Sequence, residues 1–356
     1  MHSLGNLIQS PKPVLGPLAD TSHLHGVSSL AQRLREIKLW LADDLSVLEK
    51  DIRSSASTND DLATRAASHL LKQPGKRIRP LCVVLAARIG GMEMNREIRD
   101  LAVACELVHA ATLLHDDVLD EGIERRGAKS ARVIYGNSAS ILGGDHLLIE
   151  ALKRVQSHKQ YDLLASLMDV VAVMVQAEAI QLERRGNFVP DREQYMEIIS
   201  GKTASIFEWG LRAGASAAGL SQKEVEVLAS FGMNLGIAFQ MADDALDLAG
   251  EPEVTGKSAF ADLRDGKLTW PLIIACEVEP ELEPILREIT QASQALTARE
   301  IAPLQHRILA TGCLEATRQR AQTFADLAKQ SLNTLPDSPA TEALHAVVSL
   351  AVNRGN

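Results

Sequence analysis

Two acidic motifs stand out in the sequence because each sets three aspartates at the same spacing inside an apolar segment. The first is Asp-Asp-Val-Leu-Asp at 116–120, and the second is Asp-Asp-Ala-Leu-Asp at 243–247. On a helix, the outer two aspartates of each motif lie about 40° apart around the axis, so their carboxylates point to one side. Burying so much like charge is costly unless cations neutralise it. Clustered hard oxygen ligands suit Mg²⁺, which is often completed by phosphates. We therefore expect two facing clusters that hold a metal–diphosphate complex.

A second set of charged residues is basic and occurs mostly in glycine-containing segments near the ends of apolar stretches. Arginine offers paired hydrogen bonds to phosphate oxygens, and lysine contributes a movable point charge. In a chain whose net charge is −9, we interpret these local clusters as phosphate clamps. The residues concerned are Lys76, Arg77, Arg79, Arg125, Arg126, Lys202, Lys257 and Lys267.

The elements that must position these groups are helices. Apolar residues recur at spacings of three and four, strand-like alternation does not recur, and only 3% of the residues are aromatic. Two stretches, 79–88 and 95–120, are apolar nearly all the way round, which is typical of interior helices. We predict an all-α fold, a single large bundle of ten or more helices around a central cavity, spanning residues 28–356 after a disordered tail of residues 1–27. Further helices are expected at 28–54, 60–71, 138–157, 162–184, 192–210, 221–248 and in several pieces from 270 to 354.

Composition narrows the classes of function. The acidic balance provides no broad basic surface for nucleic acid. The four cysteines have no metal-binding spacing, which is typical of a reducing compartment. We find neither a signal peptide nor a run of eighteen apolar residues, and therefore predict a cytoplasmic protein without a transmembrane segment.

Taken in order, these motifs resemble those of the trans-isoprenyl diphosphate synthases, also called polyprenyl diphosphate synthases, over about residues 28–354. One acidic motif alone is a weak signal, whereas the ordered set is highly specific. The shared segments are Gly75-Lys-Arg-Ile-Arg-Pro80, Leu113-Leu-His-Asp-Asp-Val-Leu-Asp120, Arg125-Arg-Gly127, Gly201-Lys-Thr203, Phe239-Gln-Met-Ala-Asp-Asp-Ala-Leu-Asp247, Lys257 and Asp265-Gly-Lys267. The resemblance implies an isoprenoid synthase-like bundle, a homodimer, and a prenyltransferase that joins isopentenyl diphosphate head to tail to an allylic diphosphate with release of diphosphate.

The resemblance also implies a role for each matching residue. It implies Mg²⁺, with three ions expected around the diphosphate, held mainly by Asp116, Asp120 and Asp243 with support from Asp117, Asp244 and Asp247. It assigns the allylic diphosphate site to Arg125, Lys202, Thr203, Gln240, Lys257 and Lys267. It assigns the isopentenyl diphosphate site to Gly75, Lys76, Arg79, His109 and Arg126. The residues expected to act in catalysis are Asp116, Asp117, Asp120, Arg125, Lys202, Asp243 and Asp244.

Product length should depend on the residues that precede the first motif on its helix, namely Val108, Ala111 and Thr112. In the family, a Phe or Tyr at the position of Ala111 or Thr112 limits the product to short chains. Neither is aromatic here, and each helical turn descends about 5.4 Å, roughly one isoprene unit, which favours an all-trans product of about C30 to C50. The alternative is a short-chain farnesyl or geranylgeranyl diphosphate synthase.

Two other classes remain as rivals. A terpene cyclase shares the helical architecture, but usually has Asn or Ser/Thr in its second motif and needs no clamp at Lys76. A non-catalytic partner subunit typically lacks aspartates in one motif, whereas both are intact here. We expect Glu178 and Gln181 either to support the cavity or to lie on an ordinary helix face.

Overall fold

The computed structural model describes residues 28–56, 60–186, 189–250, 263, 266–291 and 298–353. The predicted N-terminal tail, residues 1–27, and Lys257 lie outside the described residues. The all-α prediction is confirmed, because helices account for most of the described chain. They are α1 (Ser28–Trp40), α2 (Ala42–Ser54), α3 (Leu62–Lys72), α4 (Ile78–Ile89), α5 (Arg96–Leu119), α6 (Ala131–Tyr135), α7 (Asn137–Ser157), α8 (Tyr161–Arg184), α9 (Arg192–Ile199), α10 (Ser205–Ala217), α11 (Gln222–Ala249), α12 (Trp270–Val278), α13 (Leu282–Gln291), α14 (Ala298–Ala310), α15 (Cys313–Leu332) and α16 (Pro339–Val352).

The two helices that carry the acidic motifs, α5 and α11, lie inside the bundle. α5 packs against α4, α7 and α10, and α11 packs against α10 and α15. Both helices bury residues on most of their circumference, as their continuous apolar sequences predict. The largest core cluster joins side chains from these central helices, and two smaller clusters lie towards the C-terminal helices.

Side-chain caps fix where both motif helices begin. The Asn95 side chain accepts a hydrogen bond from the Ile98 amide at 2.9 Å at the start of α5. Ser221 and Glu224 form a reciprocal capping box at the start of α11. Gly250 then ends α11 in the left-handed conformation, at φ 71°. The register of both acidic motifs is therefore set by local sequence.

Three local features differ from the sequence-based expectation. The predicted helix 28–54 is interrupted at Leu41, which separates α1 from α2. The predicted helix 192–210 contains a π-helical turn, Ser200–Ala204, between α9 and α10. The loop after the first motif forms a two-stranded antiparallel hairpin of β1 (Glu124–Arg125) and β2 (Ala128–Lys129). Both the π-turn and the hairpin carry residues that the sequence assigns to phosphate binding.

Glycine allows the π-turn and α11 to approach each other closely. A Cβ added at Gly236 would lie 2.4 Å from the Ala204 Cα, and one added at Gly232 would lie 2.6 Å from the Phe207 carbonyl oxygen. Real Cβ atoms do not tolerate such distances, so both positions require glycine. This contact brings Lys202 and Thr203 to the helix of the second motif.

Two described helices, α8 and α11, are long and apolar enough to cross a membrane by length and composition alone. Core helices of globular proteins pass the same test, and the apolar window of α11 is 61% buried in the bundle. That of α8 is only 22% buried in the single chain. The absence of a transmembrane segment therefore stays a prediction.

Candidate active site

The first acidic motif occupies the C-terminal end of α5. Asp117 is buried, and its Oδ1 accepts hydrogen bonds from Nε and Nη2 of Arg125 at 2.9 and 2.6 Å. Burial raises the pKa of Asp116 and of Asp117, and the charges of Lys202 and Arg125 oppose this. A carboxylate in such surroundings stays ionised only when cations lie beside it.

Cations from other segments lie on the two remaining carboxylates of the first motif. Lys202 Nζ is 3.6 Å from Asp116 Oδ2 and also forms an ion pair with Glu178. Lys267 Nζ lies 2.6 Å from Asp120 Oδ2. Although burial raises the pKa of Asp120, the neighbouring cations outweigh it and hold the pKa below its usual value; these cations are Lys267, Lys202 and Arg185.

In the second acidic motif, Asp244 accepts hydrogen bonds from neutral donors. The Tyr195 hydroxyl donates to Asp244 Oδ2 at 2.6 Å, and Gln240 Nε2 donates to Oδ1 at 2.9 Å. Asp247 is buried one helical turn from Asp243 in α11. Tyr195 is fixed in turn against Trp270, with ring centroids 5.4 Å apart.

The π-helical turn joins the two motifs. Lys202 reaches Asp116 of the first motif, and the hydroxyl of the next residue, Thr203, donates to Gln240 Oε1 at 2.9 Å. Gln240 in turn contacts Asp244 of the second motif. The two motifs, far apart in sequence, therefore both lie beside this turn. A π-bulge is frequent at functional sites, because the extra residue redirects side chains.

Several residues of the predicted isopentenyl diphosphate site lie together beside the first motif. The guanidinium of Arg126 lies against Gly75, where an added Cβ would be 2.9 Å from its Nη1. Arg79 lies over the Phe207 ring, 4.6 Å from the centroid. Burial, reinforced by the charges of Arg79 and Arg126, lowers the pKa of His109 well below 6.5, so its ring is neutral.

Arg77 has a different role from the one that the sequence suggests. We grouped it with the phosphate clamps, but its side chain points into the protein and is only 1% exposed. Its Nη1 is 2.5 Å from Glu106 Oε1 of α5, and its Nε is 2.9 Å from Glu49 Oε2 of α2. Arg77 has a left-handed backbone, φ 48°, and immediately precedes α4. The phosphate-clamp interpretation is therefore wrong for this residue.

The residues predicted to control product length divide between two environments. Thr112 is half-buried and lies four residues before Asp116, on the same face of α5. Val108 and Ala111 are buried, at 1% and 2% exposure. No aromatic side chain occupies these positions of α5.

Two residues at this site were not predicted from the sequence. Arg185, just beyond α8, forms an ion pair with Asp120, and Tyr195 of α9 holds Asp244. Arg185 could have been predicted from its position before Gly186, because the predicted phosphate clamps are also basic residues in glycine-containing segments. Nothing in the local sequence distinguishes Tyr195 from a core tyrosine. Glu178 was expected either to support the cavity or to lie on an ordinary helix face, and it contacts Lys202 beside the first motif.

The donor groups fit Mg²⁺. Six aspartates supply hard oxygen ligands, and the buried Oδ2 of Asp117 makes no hydrogen bond within the described residues. Among the described residues, no three His, Cys, Asp or Glu side chains are grouped closely enough to hold an ion as they stand. The cations noted above, Lys202, Lys267 and Arg185, lie among these carboxylates.

Comparisons with known proteins give a consistent result. The family described as "Polyprenyl synthetase" matches residues 60–304. The chain is 36% identical over 322 residues to octaprenyl diphosphate synthase of Escherichia coli (strain K12), covering 90% of this chain and 99% of that protein. It is 31% identical to all-trans-nonaprenyl-diphosphate synthase (geranyl-diphosphate specific) of Rhodobacter capsulatus, covering 90% and 98% of the two chains. Among solved structures, a polyprenyl synthase from Caulobacter crescentus CB15, complexed with calcium and isoprenyl diphosphate, is similar with a TM-score of 0.83 and 36% identity over 89% of this chain and 96% of that one.

Proposed function

The chain belongs to the polyprenyl synthetase family, and we propose from this that its two acidic motifs and the cations between them form the prenyl-transfer site. The protein is a prenyltransferase that makes a medium- or long-chain all-trans polyprenyl diphosphate. Its substrates are isopentenyl diphosphate and an allylic diphosphate. The observation that carries the residue assignments is the π-helical turn, in which Lys202 and Thr203 link the first motif to the second.

The first chemical requirement is to ionise the allylic carbon–oxygen bond. When bound, Mg²⁺, which the family uses, would supply a Lewis acid to stabilise the charge that grows on the leaving diphosphate. We propose that three ions are held, with ligands from Asp116, Asp120 and Asp243 and support from Asp117, Asp244 and Asp247. Lys202, Lys267 and Arg125 add positive charge beside the first motif, which would stabilise the leaving group.

The second requirement is to hold isopentenyl diphosphate close to the allylic carbon. The pocket of Gly75, Arg79, His109 and Arg126 presents cations and a neutral imidazole N–H, all of which suit a diphosphate. Gly75 leaves room for the Arg126 guanidinium. Lys76 completes the set proposed for isopentenyl diphosphate, whereas Lys257 belongs to the set proposed for the allylic diphosphate. Such positioning converts the attack of the alkene on the allylic carbon into an effectively unimolecular step.

Apolar side chains around the site exclude water, which would otherwise capture the allylic cation. Phe207 and Phe239 pack together with ring centroids 5.7 Å apart, and the Arg79 guanidinium lies over Phe207.

The final proton has no dedicated side-chain acceptor in our proposal, and we assign it to the released diphosphate. Val108, Ala111 and Thr112 of α5 carry no aromatic ring that would limit the product to short chains, which is consistent with a long product.

Purified protein with Mg²⁺, isopentenyl diphosphate and farnesyl diphosphate tests these assignments together. Chromatography of the dephosphorylated products should show a chain longer than geranylgeranyl, and EDTA should abolish it. A product no longer than geranylgeranyl diphosphate would support the short-chain alternative. A cyclised hydrocarbon would support a terpene cyclase, and no metal-dependent product would contradict the proposed site.

We also propose that the protein is a homodimer. α7 and α8 expose an unusual number of large apolar side chains, which we call the α7–α8 apolar face: Ile141, Leu142, Ile149, Met168 and Val175. Extended apolar surfaces on a soluble protein mark interaction sites. Sedimentation equilibrium should give twice the chain mass for the wild type. A Met168→Glu/Val175→Glu variant should shift towards the monomer, and an unchanged dimer would place the interface elsewhere.

A cytoplasmic location is proposed on the state of the cysteines. Cys82, Cys105, Cys276 and Cys313 are all buried and free. Burial raises the pKa of Cys82 and of Cys276 to about 12, so these thiols are unreactive. Fractionation of the expressing cells followed by immunodetection tests this location.

A further inference from the structure

Arg185 is an additional cation at the first acidic motif. It follows directly after α8, and its Nη1 donates to the Leu119 carbonyl oxygen at 2.9 Å, at the last residue of α5. Its Nη2 forms an ion pair with Asp120 Oδ1. The guanidinium therefore caps the helix that carries the first motif and at the same time neutralises the last carboxylate of that motif.

The other oxygen of Asp120 is also occupied. Lys267 Nζ lies 2.6 Å from Oδ2, so each carboxylate oxygen faces a different cation. The Asp120 side chain is only 11% exposed, so water screens these contacts weakly. A divalent ion on Oδ1 would lie close to the Arg185 guanidinium, and the repulsion between the two cations would weaken its binding.

Two contacts other than Asp120 hold Arg185 in position. The first is the Leu119 carbonyl group described above. The second is Gly266, which adopts φ +71° and where an added Cβ would lie only 2.9 Å from the Arg185 Cγ. The segment that carries Lys267 therefore packs directly on the stem of Arg185. Lysine has a flexible stem and can move with a bound ligand. Arg185 instead has a planar guanidinium, and its contacts with the Leu119 carbonyl group and Gly266 hold it in place.

We infer that Arg185 competes with the divalent ion for Asp120 and so weakens ion binding by the enzyme that holds no diphosphate. This inference rests on the proposed function, in which Asp120 is an ion ligand. Its consequence is that ions are retained well only when they arrive with a diphosphate, whose negative charge compensates for the nearby cations. Arg185 thus becomes a determinant of binding order at this site.

The test is the binding of Mn²⁺, as a paramagnetic substitute for Mg²⁺, to protein without substrate, followed by electron paramagnetic resonance. Arg185→Gln should bind Mn²⁺ about three- to tenfold more tightly than the wild type, as expected for removal of one partly exposed charge. Arg184→Gln is the matched control, because it removes the same charge from the neighbouring residue, for which the described residues offer no ion-pair partner. It should bind Mn²⁺ as the wild type does.

A second variant and a measurement with inorganic diphosphate distinguish a failure of this inference from a failure of the proposed function. Arg185→Met keeps the apolar stem against Gly266 and serves as a second charge-removing variant should the glutamine variant fold poorly. Equal Mn²⁺ affinities for the wild type and both Arg185 variants would overturn the inference. If the wild type also bound no Mn²⁺ after addition of inorganic diphosphate, the proposed function itself would fail, and the two results are therefore distinguishable.

Discussion

Replacing Arg77 by methionine should destabilise the protein strongly, because the change leaves a buried carboxylate without its partner. The Glu106 side chain is 3% exposed and lies 2.5 Å from the arginine. The same guanidinium contacts Glu49 and donates to the Leu71 carbonyl oxygen at 3.2 Å. Although burial lowers the pKa of Arg77, Glu106 and Glu49 raise it above its ordinary value, so the residue stays charged.

The magnitude follows from the burial of the partners. Removing one member of a buried ion pair typically costs about 3–5 kcal/mol, because the other charge stays desolvated. A domain is stable by only about 5–15 kcal/mol, so this change removes a large fraction of the total. Arg77→Met/Glu106→Gln should recover at least about 2 kcal/mol, because no buried charge is then left beside the methionine except that of the more exposed Glu49.

Urea unfolding followed by circular dichroism measures both variants. Arg212→Met is the control, because Arg212 also pairs with two glutamates but on the surface, where the loss should be at most about 1 kcal/mol. The reasoning would be refuted if Arg77→Met cost no more than Arg212→Met, or if the Glu106→Gln change gave no recovery. Because Arg77 lies between Lys76 and Arg79, we also expect the KM for isopentenyl diphosphate to rise more than the KM for the allylic substrate.

The remaining predictions concern the site itself. Lys202→Ala should lower kcat by about 10²–10³, as for loss of one electrostatic stabiliser, and a loss below tenfold in steady-state assays would exclude that role. Ala111→Phe should shorten the product on chromatography, and an unchanged length would argue against a pocket at this position. Tyr195→Phe should cost about 1–3 kcal/mol in urea unfolding through the buried Asp244 oxygen, and wild-type stability would contradict the importance of that bond. The pKa of His109 is lower in the folded state than the unfolded value of 6.5, so the unfolded chain binds more protons as the pH drops below 6.5, and the free energy of unfolding should fall. His109→Gln should make the free energy of unfolding depend less on pH in this range. A pH profile identical to that of the wild type would contradict the buried neutral ring.

Much of the architecture follows from local sequence. The predicted helix 95–120 corresponds to α5, Arg96–Leu119, and the predicted helix 221–248 corresponds to α11, Gln222–Ala249. These boundaries are predictable because caps such as Asn95 and Ser221 act within three residues, and apolar periodicity acts within a few turns. The π-turn was not predictable from local sequence, because its close packing against Gly236 involves a segment far along the chain.

The sequence by itself determined the chemistry of this protein: two spaced triads of aspartate, the basic residues near them and the helices that carry them. Residue type and spacing are properties of the chain, and they survive any rearrangement of distant segments. The tertiary structure decided which cation meets which carboxylate. It turned Arg77 inward to Glu49 and Glu106, and it brought Arg185 onto Asp120, 65 residues away. Such pairings depend on how desolvated groups from separate helices meet when the core closes, and no local pattern encodes that.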